Sequence, residues 1–465
     1  ALLDAADHFP SPLPDNPLHN HHPLSDNFSP ITTNRSTSTA VPLAKRLKLQ
    51  LPTTRKRLRA LRVSDIHSPV TTCPRRMGRR CKGFWGKRWR RGPAPSARRI
   101  REYLGPRRTL PSVVAVPDDQ QVADVIIGTN NSCPGPDGIP FAVYRLLVQY
   151  VAPLIGAMLR FLAAGDKPSS DYNLGLLFLI PKDDSLLVSS TRPIIVNNAD
   201  SRILAKCVVS AASPALVHPE AIHLAQKGSI EGRHGVDHVE ALNRKFYTAV
   251  EDPEADPYYI LFLDWSKAFD SPHYIFIIEA LKWIGLPDWV VNVVEALLHE
   301  VMVSPQVGGA EQFWIKVRRG IKQGCPLSPW IFAVVMDVLL RRLDGHEHLE
   351  PFGYVDDVAI GTNNYHYFTD AMNTIDTFSH FSGLGKNFTK TNGLSSTGTD
   401  GFATWVKASP WPDLEIKLKY TYLGFLMGRV VSTVELYGKA FNAFTAKLTL
   451  YRPALRRMPT TRRIQ

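Results

Sequence analysis

Two adjacent carboxylates stand inside an otherwise apolar, strand-like stretch, Phe352-Gly353-Tyr354-Val355-Asp356-Asp357-Val358-Ala359-Ile360, and few folds tolerate such a pair. Burying one ionised carboxylate is costly unless it is paired, and two side by side also repel. No Lys or Arg lies within the segment to neutralise them. Two readings follow: a strand end that holds a cation with a preference for hard oxygen, Mg²⁺ or Mn²⁺, or a solvated surface hairpin. A second segment favours the first. Tyr258-Tyr259-Ile260-Leu261-Phe262-Leu263-Asp264 sets another carboxylate at the end of an apolar run, followed by Lys267-Ala268-Phe269-Asp270. Carboxylates from two strand ends suit a pair of metal ions about 3.5–4 Å apart, which activates an attacking hydroxyl and stabilises a leaving phosphate. That chemistry is nucleotidyl transfer.

The surrounding pattern is mixed. Leu174 to Ile180, ending in Pro181, and Tyr258 to Leu263 read as buried strands. Phe276 to Ile284 and Trp330 to Leu343 carry apolar residues at helical spacing; Ser328 is expected to cap the second helix, with Pro329 at its first position. Strands alternating with helices imply an α/β or α+β body.

Charge is unevenly spread. Residues 1–110 hold 23 Lys/Arg against 6 Asp/Glu, or +17, and the rest hold 32 against 36, or −4, which together give the net +13. Residues 1–40 are rich in Pro, Ser, Thr, Asn and His, a composition unable to bury enough surface to fold. Basic clusters follow: Lys45, Arg46 and Lys48; Arg55, Lys56 and Arg57; then Arg75 to Arg91 with Phe84, Trp85 and Trp89 interleaved. Such a tail would neutralise phosphates and stack on unpaired bases, or would simply be a solvated leader. The Lys45 cluster resembles a nuclear-localisation signal. Five cysteines in 465 residues form neither a disulfide framework nor a zinc pattern, which implies a reducing compartment. His19, His21 and His22 lack partners for a metal site. No signal peptide or membrane-spanning run is apparent. A nuclear location is expected, otherwise a cytoplasmic one, and not secretion.

From about Val114 to Gly428 the order of these segments resembles the reverse transcriptases of non-LTR (LINE-type) retrotransposons. Pro134-Gly135-Pro136-Asp137-Gly138-Ile139-Pro140, before a helix beginning near Phe141, looks like the opening signature. Leu179-Ile180-Pro181-Lys182 and Thr191-Arg192-Pro193-Ile194 resemble the fingers, which implies that Lys182 and Arg192 meet a triphosphate. Ala225-Gln226-Lys227-Gly228 with Gly232-Arg233 looks like the next block, expected to touch template. By the same resemblance Asp264 is a metal ligand and Phe269 packs under the sugar and excludes a 2′-hydroxyl. Arg319-Gly320-Ile321-Lys322-Gln323-Gly324-Cys325-Pro326-Leu327-Ser328-Pro329 resembles the loop before the second palm helix, with Gln323 and Gly324 near the nucleotide. Tyr354-Val355-Asp356-Asp357 corresponds to the catalytic hairpin, so Asp356 and Asp357 are metal ligands and Tyr354 contacts nucleotide. Phe381-Ser382-Gly383-Leu384, Asn387 and Lys390-Thr391 resemble the following motif, in which Lys390 protonates the leaving pyrophosphate. Tyr422-Leu423-Gly424 looks like the primer grip. Val355, Pro272, Tyr274 and Gly385-Lys386 depart from the usual pattern, as in a divergent copy.

The resemblance implies an α+β right-hand polymerase fold: fingers, palm and partial thumb, with an antiparallel palm sheet packed on helices, preceded by a disordered basic N-terminal tail. The expected divisions are residues 1–112 for the tail, 113–250 for the fingers, 251–428 for the palm and 429–465 for the start of the thumb, with the reverse transcriptase domain over about 170–428. The implied activity is RNA-directed DNA synthesis with two Mg²⁺ ions (Mn²⁺ as substitute), an RNA template, a DNA primer and dNTPs. No membrane partner is expected. Other domains of the same polyprotein, such as an endonuclease, are expected outside this chain. The alternatives are a truncated, non-catalytic nucleic-acid-binding remnant and, third, a group II intron-type enzyme, whose maturase segment is not visible here.

Overall fold

The computed structural model describes residues 61–62, 69–90, 92–307 and 313–456. Lys45, Arg46, Lys48, Arg55, Lys56 and Arg57 lie outside the described residues. Along the chain, β1 (Leu61–Arg62) and β2 (Val70–Thr71) pair antiparallel. They lead into α1 (Pro74–Arg88), which opens with proline and ends on Lys87 and Arg88, both suited to their helix ends.

The expected disordered tail to residue 112 is corrected by α1. Met77, Cys81, Trp85 and Trp89 recur every fourth position and are all buried, a stripe that α-helical geometry places on one face. They form a core cluster with Leu177, Leu179, Ile195, Val303 and Ile315. Trp85 and Trp89 therefore stack on each other, centroids 4.8 Å apart, rather than on bases; only the opposite face, with Arg75, Arg76, Arg79 and Lys82, is exposed. α2 (Ala97–Leu104) follows, its N-terminus capped by the Ser96 hydroxyl accepting from Arg99 N. Ile100 and Leu104 are buried against the main core, and Tyr103 stacks on Phe381 at 4.2 Å. High basic content concealed these two apolar stripes.

The chain continues through α3 (Asp119–Ile127), which has a full capping box between Asp118 and Gln121, then α4 (Phe141–Leu146) and α5 (Val148–Ala163). β3 (Leu174–Pro181), β4 (Thr191–Asn197), α6 (Ala199–Leu216) and α7 (Gly235–Glu251) come next. After β5 (Tyr259–Leu263) come α8 (Tyr274–Trp283), α9 (Asp288–Leu298), β6 (Met302–Pro305) and β7 (Ile315–Lys316). α10 (Leu327–Asp344) precedes the hairpin of β8 (Glu350–Tyr354) and β9 (Asp357–Thr362). The last described elements are α11 (Phe368–Ser382), β10 (Asn392–Ser395), α12 (Asp400–Ala408), β11 (Glu415–Lys417), the β12 (Lys419–Tyr422) and β13 (Phe425–Gly428) hairpin, and α13 (Thr433–Arg456).

Two sheets organise the body. One runs β4-β3-β6-β7; the other runs β11-β10-β5-β9-β8 and is antiparallel except for its outer β10–β11 pair. β5 is buried on both faces, so it reads as a continuous apolar run. Its odd and even positions divide as a period-2 strand requires: Tyr259, Leu261 and Leu263 join the core built on α8, α10 and α11. Ile260 and Phe262 join the one built on Val239, Leu242 and Phe246 of α7.

Packing therefore does not follow the expected cut at residue 250. α7 lines the five-stranded sheet, while β6 and β7 return to complete the four-stranded one. The expected cap is also corrected: α10 begins at Leu327, Pro326 occupies the cap position, and the Ser328 hydroxyl donates to the Lys322 carbonyl. Among the described residues no helix is long and apolar enough to cross a membrane.

Candidate active site

The palm register sets the carboxylates side by side. Leu263 pairs with Val358 across β5–β9, and Tyr354 pairs with Asp357 where the β8–β9 hairpin closes. Asp264, the next residue after β5, thus lies beside the turn that carries Val355 and Asp356. Val355 takes a left-handed φ of 57°. That turn is clamped from below: the fully buried Gln226 accepts through Oε1 from both Val355 N (3.0 Å) and Gly228 N (2.9 Å). A Cβ at Gly228 would sit 2.4 Å from Val355 N, so glycine is required there. Gln226, expected to touch template, instead supports the hairpin.

Asp264 is half-buried and its Oδ2 accepts from Asn387 Nδ2 at 2.7 Å. Its amide donates to Thr391 Oγ1 at 3.2 Å. Desolvation first, and then the Asp264 charge, holds the Asp356 carboxyl above the usual range, opposed by Lys182 and Arg192. Asp357, open at the rim, is pushed up to about 6 by desolvation and then by Asp356 and Asp264. The strand register thus brings the three carboxylates to one end of the sheet, where their charges repel. Among the described residues no group of three or more His, Cys, Asp or Glu side chains is gathered closely enough to hold a metal ion by itself. An open set of hard oxygens fits Mg²⁺, which usually takes one or two carboxylates and completes its shell with water and substrate phosphate.

The β3–β4 hairpin carries two bases whose charge reaches Asp356. Ile180 pairs with Arg192, and Lys182 N donates to Ser190 O at 2.8 Å just beyond the paired strands. Lys182 and Arg192 are exposed, and both act on Asp356. Phe269 stacks on Phe332 of α10 at 4.6 Å, which holds its ring against the palm core. Gln323 lies on a loop locked to β4: its carbonyl accepts from Ile195 N at 2.7 Å. Gly324, at φ 112°, lies so close that a Cβ would stand 2.6 Å from the Ile195 carbonyl oxygen.

Tyr354 and Leu423 converge over Gly235, where an added Cβ would meet them at 2.9 and 3.1 Å. The Tyr422 hydroxyl donates to the Phe352 carbonyl at 3.2 Å. Leu423 and Gly424 form the β12–β13 turn, both at positive φ. The Tyr422-Leu423-Gly424 hairpin is thereby tied to the carboxylate hairpin. Lys390 is exposed, and its charge reaches Lys267.

The roles of four residues around the cleft escaped the sequence reading. Lys267, pushed down to about 8 by desolvation first and then by Lys182, donates to the Thr191 carbonyl at 2.8 Å and lies 5.1 Å from the Trp85 ring centre. Asp270 is buried and raised to about 7 by desolvation, which Lys267, Trp89 and Arg88 oppose. Arg88 of α1 donates to the Ser266 carbonyl and the Ser271 hydroxyl, and Trp89 reaches Asp270. No local pattern marks these contacts, because they join α1 to a loop about 180 positions away.

A family model described as reverse transcriptase (RNA-dependent DNA polymerase) matches residues 180–427, just over half of the chain. Over 295 residues the chain is 28% identical to the retrovirus-related Pol polyprotein from type-1 retrotransposable element R2 of Popillia japonica, covering 61% of this chain and 40% of that protein. It is 24% identical over 307 residues to the transposon TX1 uncharacterized 149 kDa protein of Xenopus laevis, covering 63% of this chain and 23% of that one. An apo telomerase structure from Candida tropicalis overlaps 64% of this chain and 60% of its own, at 14% identity and a TM-score of 0.42.

A palm sheet that carries its carboxylates at a strand end and a hairpin turn agrees with the family match, and the chain belongs to the reverse transcriptase family. Of these relatives one is a retrotransposable-element Pol polyprotein and the other an uncharacterized transposon protein, and this chain spans less than half the length of either.

Proposed function

We propose that this chain extends a primer 3′-hydroxyl with deoxynucleoside triphosphates on an RNA template, as the polymerase unit of a non-LTR retrotransposon. The observation that carries the reading is the register that ends β5 at Asp264 beside the β8–β9 turn bearing Asp356 and Asp357. Asp264, Asp356 and Asp357 would hold two Mg²⁺ ions, with Mn²⁺ as a substitute. When bound, the ions supply Lewis acidity toward the 3′-hydroxyl and the triphosphate. Arg192 and Lys182 bind phosphate oxygens, Arg192 bidentately. Phe269 forms the floor beneath the sugar and Tyr354 borders it. Gln323 and Gly324 flank the nucleotide from the α10 side. Tyr422, Leu423 and Gly424 hold the primer end, and Lys390 supplies a proton to the departing pyrophosphate. Positioning and charge neutralisation then carry most of the catalysis. The Lys45–Lys48 and Arg55–Arg57 clusters would add a nucleic-acid contact and nuclear entry. Endonuclease and other polyprotein segments are the expected covalent partners.

The test is Mg²⁺-dependent extension of a DNA primer on an RNA template by the purified chain, beside Asp356→Ala. Incorporation by the parent and none by the variant supports the polymerase. Binding of primer–template by both without extension by either favours the non-catalytic remnant.

A further inference from the structure

Asp270 is a buried carboxylate with no part in the chemistry above. It is 3% exposed and ends a short 3-10 turn, Ala268–Asp270, that begins after Lys267 at a left-handed φ of 54°. Its two oxygens serve different parts of the chain. Oδ1 accepts from Trp89 Nε1 and Oδ2 accepts from Gln323 Nε2, each at 3.4 Å. Lys267 and Arg88 supply positive charge nearby. Arg88 ties down both flanks of the turn through the Ser266 carbonyl and the Ser271 hydroxyl. The turn is also pressed onto the loop: Ile321 N donates to Phe269 O at 2.5 Å, Gly320 N donates to Pro272 O at 2.8 Å, and a Cβ on Gly320 would meet the Asp270 backbone at 2.8 Å.

A carboxylate in such a place is a poor way to gain stability, since an apolar replacement of a buried ion pair is often neutral or better. What it does supply is orientation. The Gln323 main chain is fixed by Ile195, while its side-chain amide is held by Asp270. We infer that Asp270 is a positioning residue for the nucleotide: anchored by Trp89, the residue that ends α1, it holds the Gln323 amide in the one arrangement that meets the incoming dNTP. The inference rests on the polymerase reading and on Gln323 facing the nucleotide. It also makes α1 part of the nucleotide site, although that helix lies outside the matched family region.

Single-nucleotide extension by the full chain tests it with Asp270→Asn, Trp89→Phe, Gln323→Ala and the Asp270→Asn/Gln323→Ala pair. Asn at 270 would turn a donor toward Trp89 or Gln323; Phe at 89 removes only the indole N–H. Asp270→Asn is expected to raise the dNTP KM roughly tenfold, the size of one charge-assisted hydrogen bond. Its kcat should stay within about twofold of the parent, since ground-state positioning chiefly moves KM. Primer–template affinity should be unchanged. Trp89→Phe should shift KM in the same direction, and Asp270→Asn should add nothing once Gln323 is Ala. Unchanged KM, additive effects in the pair, or a joint fall in melting temperature, kcat and primer–template affinity would each overturn it. If the parent does not extend, dNTP affinity is read instead from stabilisation of a complex with a dideoxy-terminated primer. A parent that shows neither extension nor this affinity defeats the polymerase reading and the inference with it. A parent that binds dNTP no better than Asp270→Asn defeats the inference alone.

Discussion

Replacing Trp85 with alanine separates a folded α1 from a nucleic-acid-stacking tail. The indole is fully buried, packed in the cluster with Leu177, Leu179 and Ile315. It is stacked on Trp89 and set edge-on to Phe84 at 5.1 Å. Trp→Ala in such a setting costs about 3–5 kcal/mol. The Trp85 Nε1–H is buried without a partner, a defect that the substitution removes, worth roughly 1–3 kcal/mol in the opposite direction. A net loss of about 2 kcal/mol is therefore expected. At about 2–4 °C per kcal/mol for a large domain, the transition that includes the fingers sheet should fall by about 4–8 °C. Circular dichroism and tryptophan fluorescence would follow the melt, with Arg79→Ala on the exposed face as a variant of unchanged stability. A Trp85→Ala chain with the parental melt and weakened single-stranded RNA binding would refute the reasoning and restore the aromatic to a stacking role.

Three other outcomes are expected. Arg79→Ala and Lys82→Ala, on the solvent face of α1, should each lower the slope of log affinity against log salt for single-stranded RNA by about 0.7 if that face meets phosphate; an unchanged slope rules the contact out. Gly324→Ala should strain the backbone by about 1–3 kcal/mol and push the loop off the Ile195 carbonyl, raising the dNTP KM; parental kinetics would show that the loop tolerates a side chain. Asp200 faces Asp137, Tyr144 and Tyr172, and burial raises its carboxyl from 3.8 to about 6. Because the folded value lies above the unfolded one, its contribution is complete below the unfolded pKa and is lost as pH rises through about 6. Asp200→Asn should flatten the pH dependence of stability over that window and melt higher than the parent at neutral pH; parallel curves would contradict this.

The palm was legible because its physics is local. Apolar runs ending in Asp264 and broken by Asp356-Asp357 announce a buried strand and a turn, and β5 and the β8–β9 hairpin follow them closely. The fingers strand Leu174–Pro181 was readable for the same reason. α1 was not. Its four-residue stripe is diluted by Gly78, Gly83 and Gly86 and by seven basic side chains, so composition reads as solvated, and the strands that cover it come much later in the chain. Ser328 misled as a cap because the helix starts at Leu327, two residues before the expected Pro329, and Pro326 already has helical backbone angles. Gln226 and Asp270 were visible as residues, but nothing in their neighbourhoods reveals that one clamps a turn and the other a loop.

Trp89 and Asp270 lie 181 positions apart, and this has a consequence for a chain emerging from the ribosome. At roughly 5–20 residues per second, the apolar stripe of α1 leaves the exit tunnel about 10–40 s before its partner does. The fingers sheet that covers Trp85 is complete only after Ile315–Lys316 has been made. During that interval a helix with arginines on one face and tryptophans on the other stands open to chaperones, to RNA and to sister chains. Yield in a cell should therefore depend on the pace of translation and on chaperone supply more than the stability of the finished fold would imply.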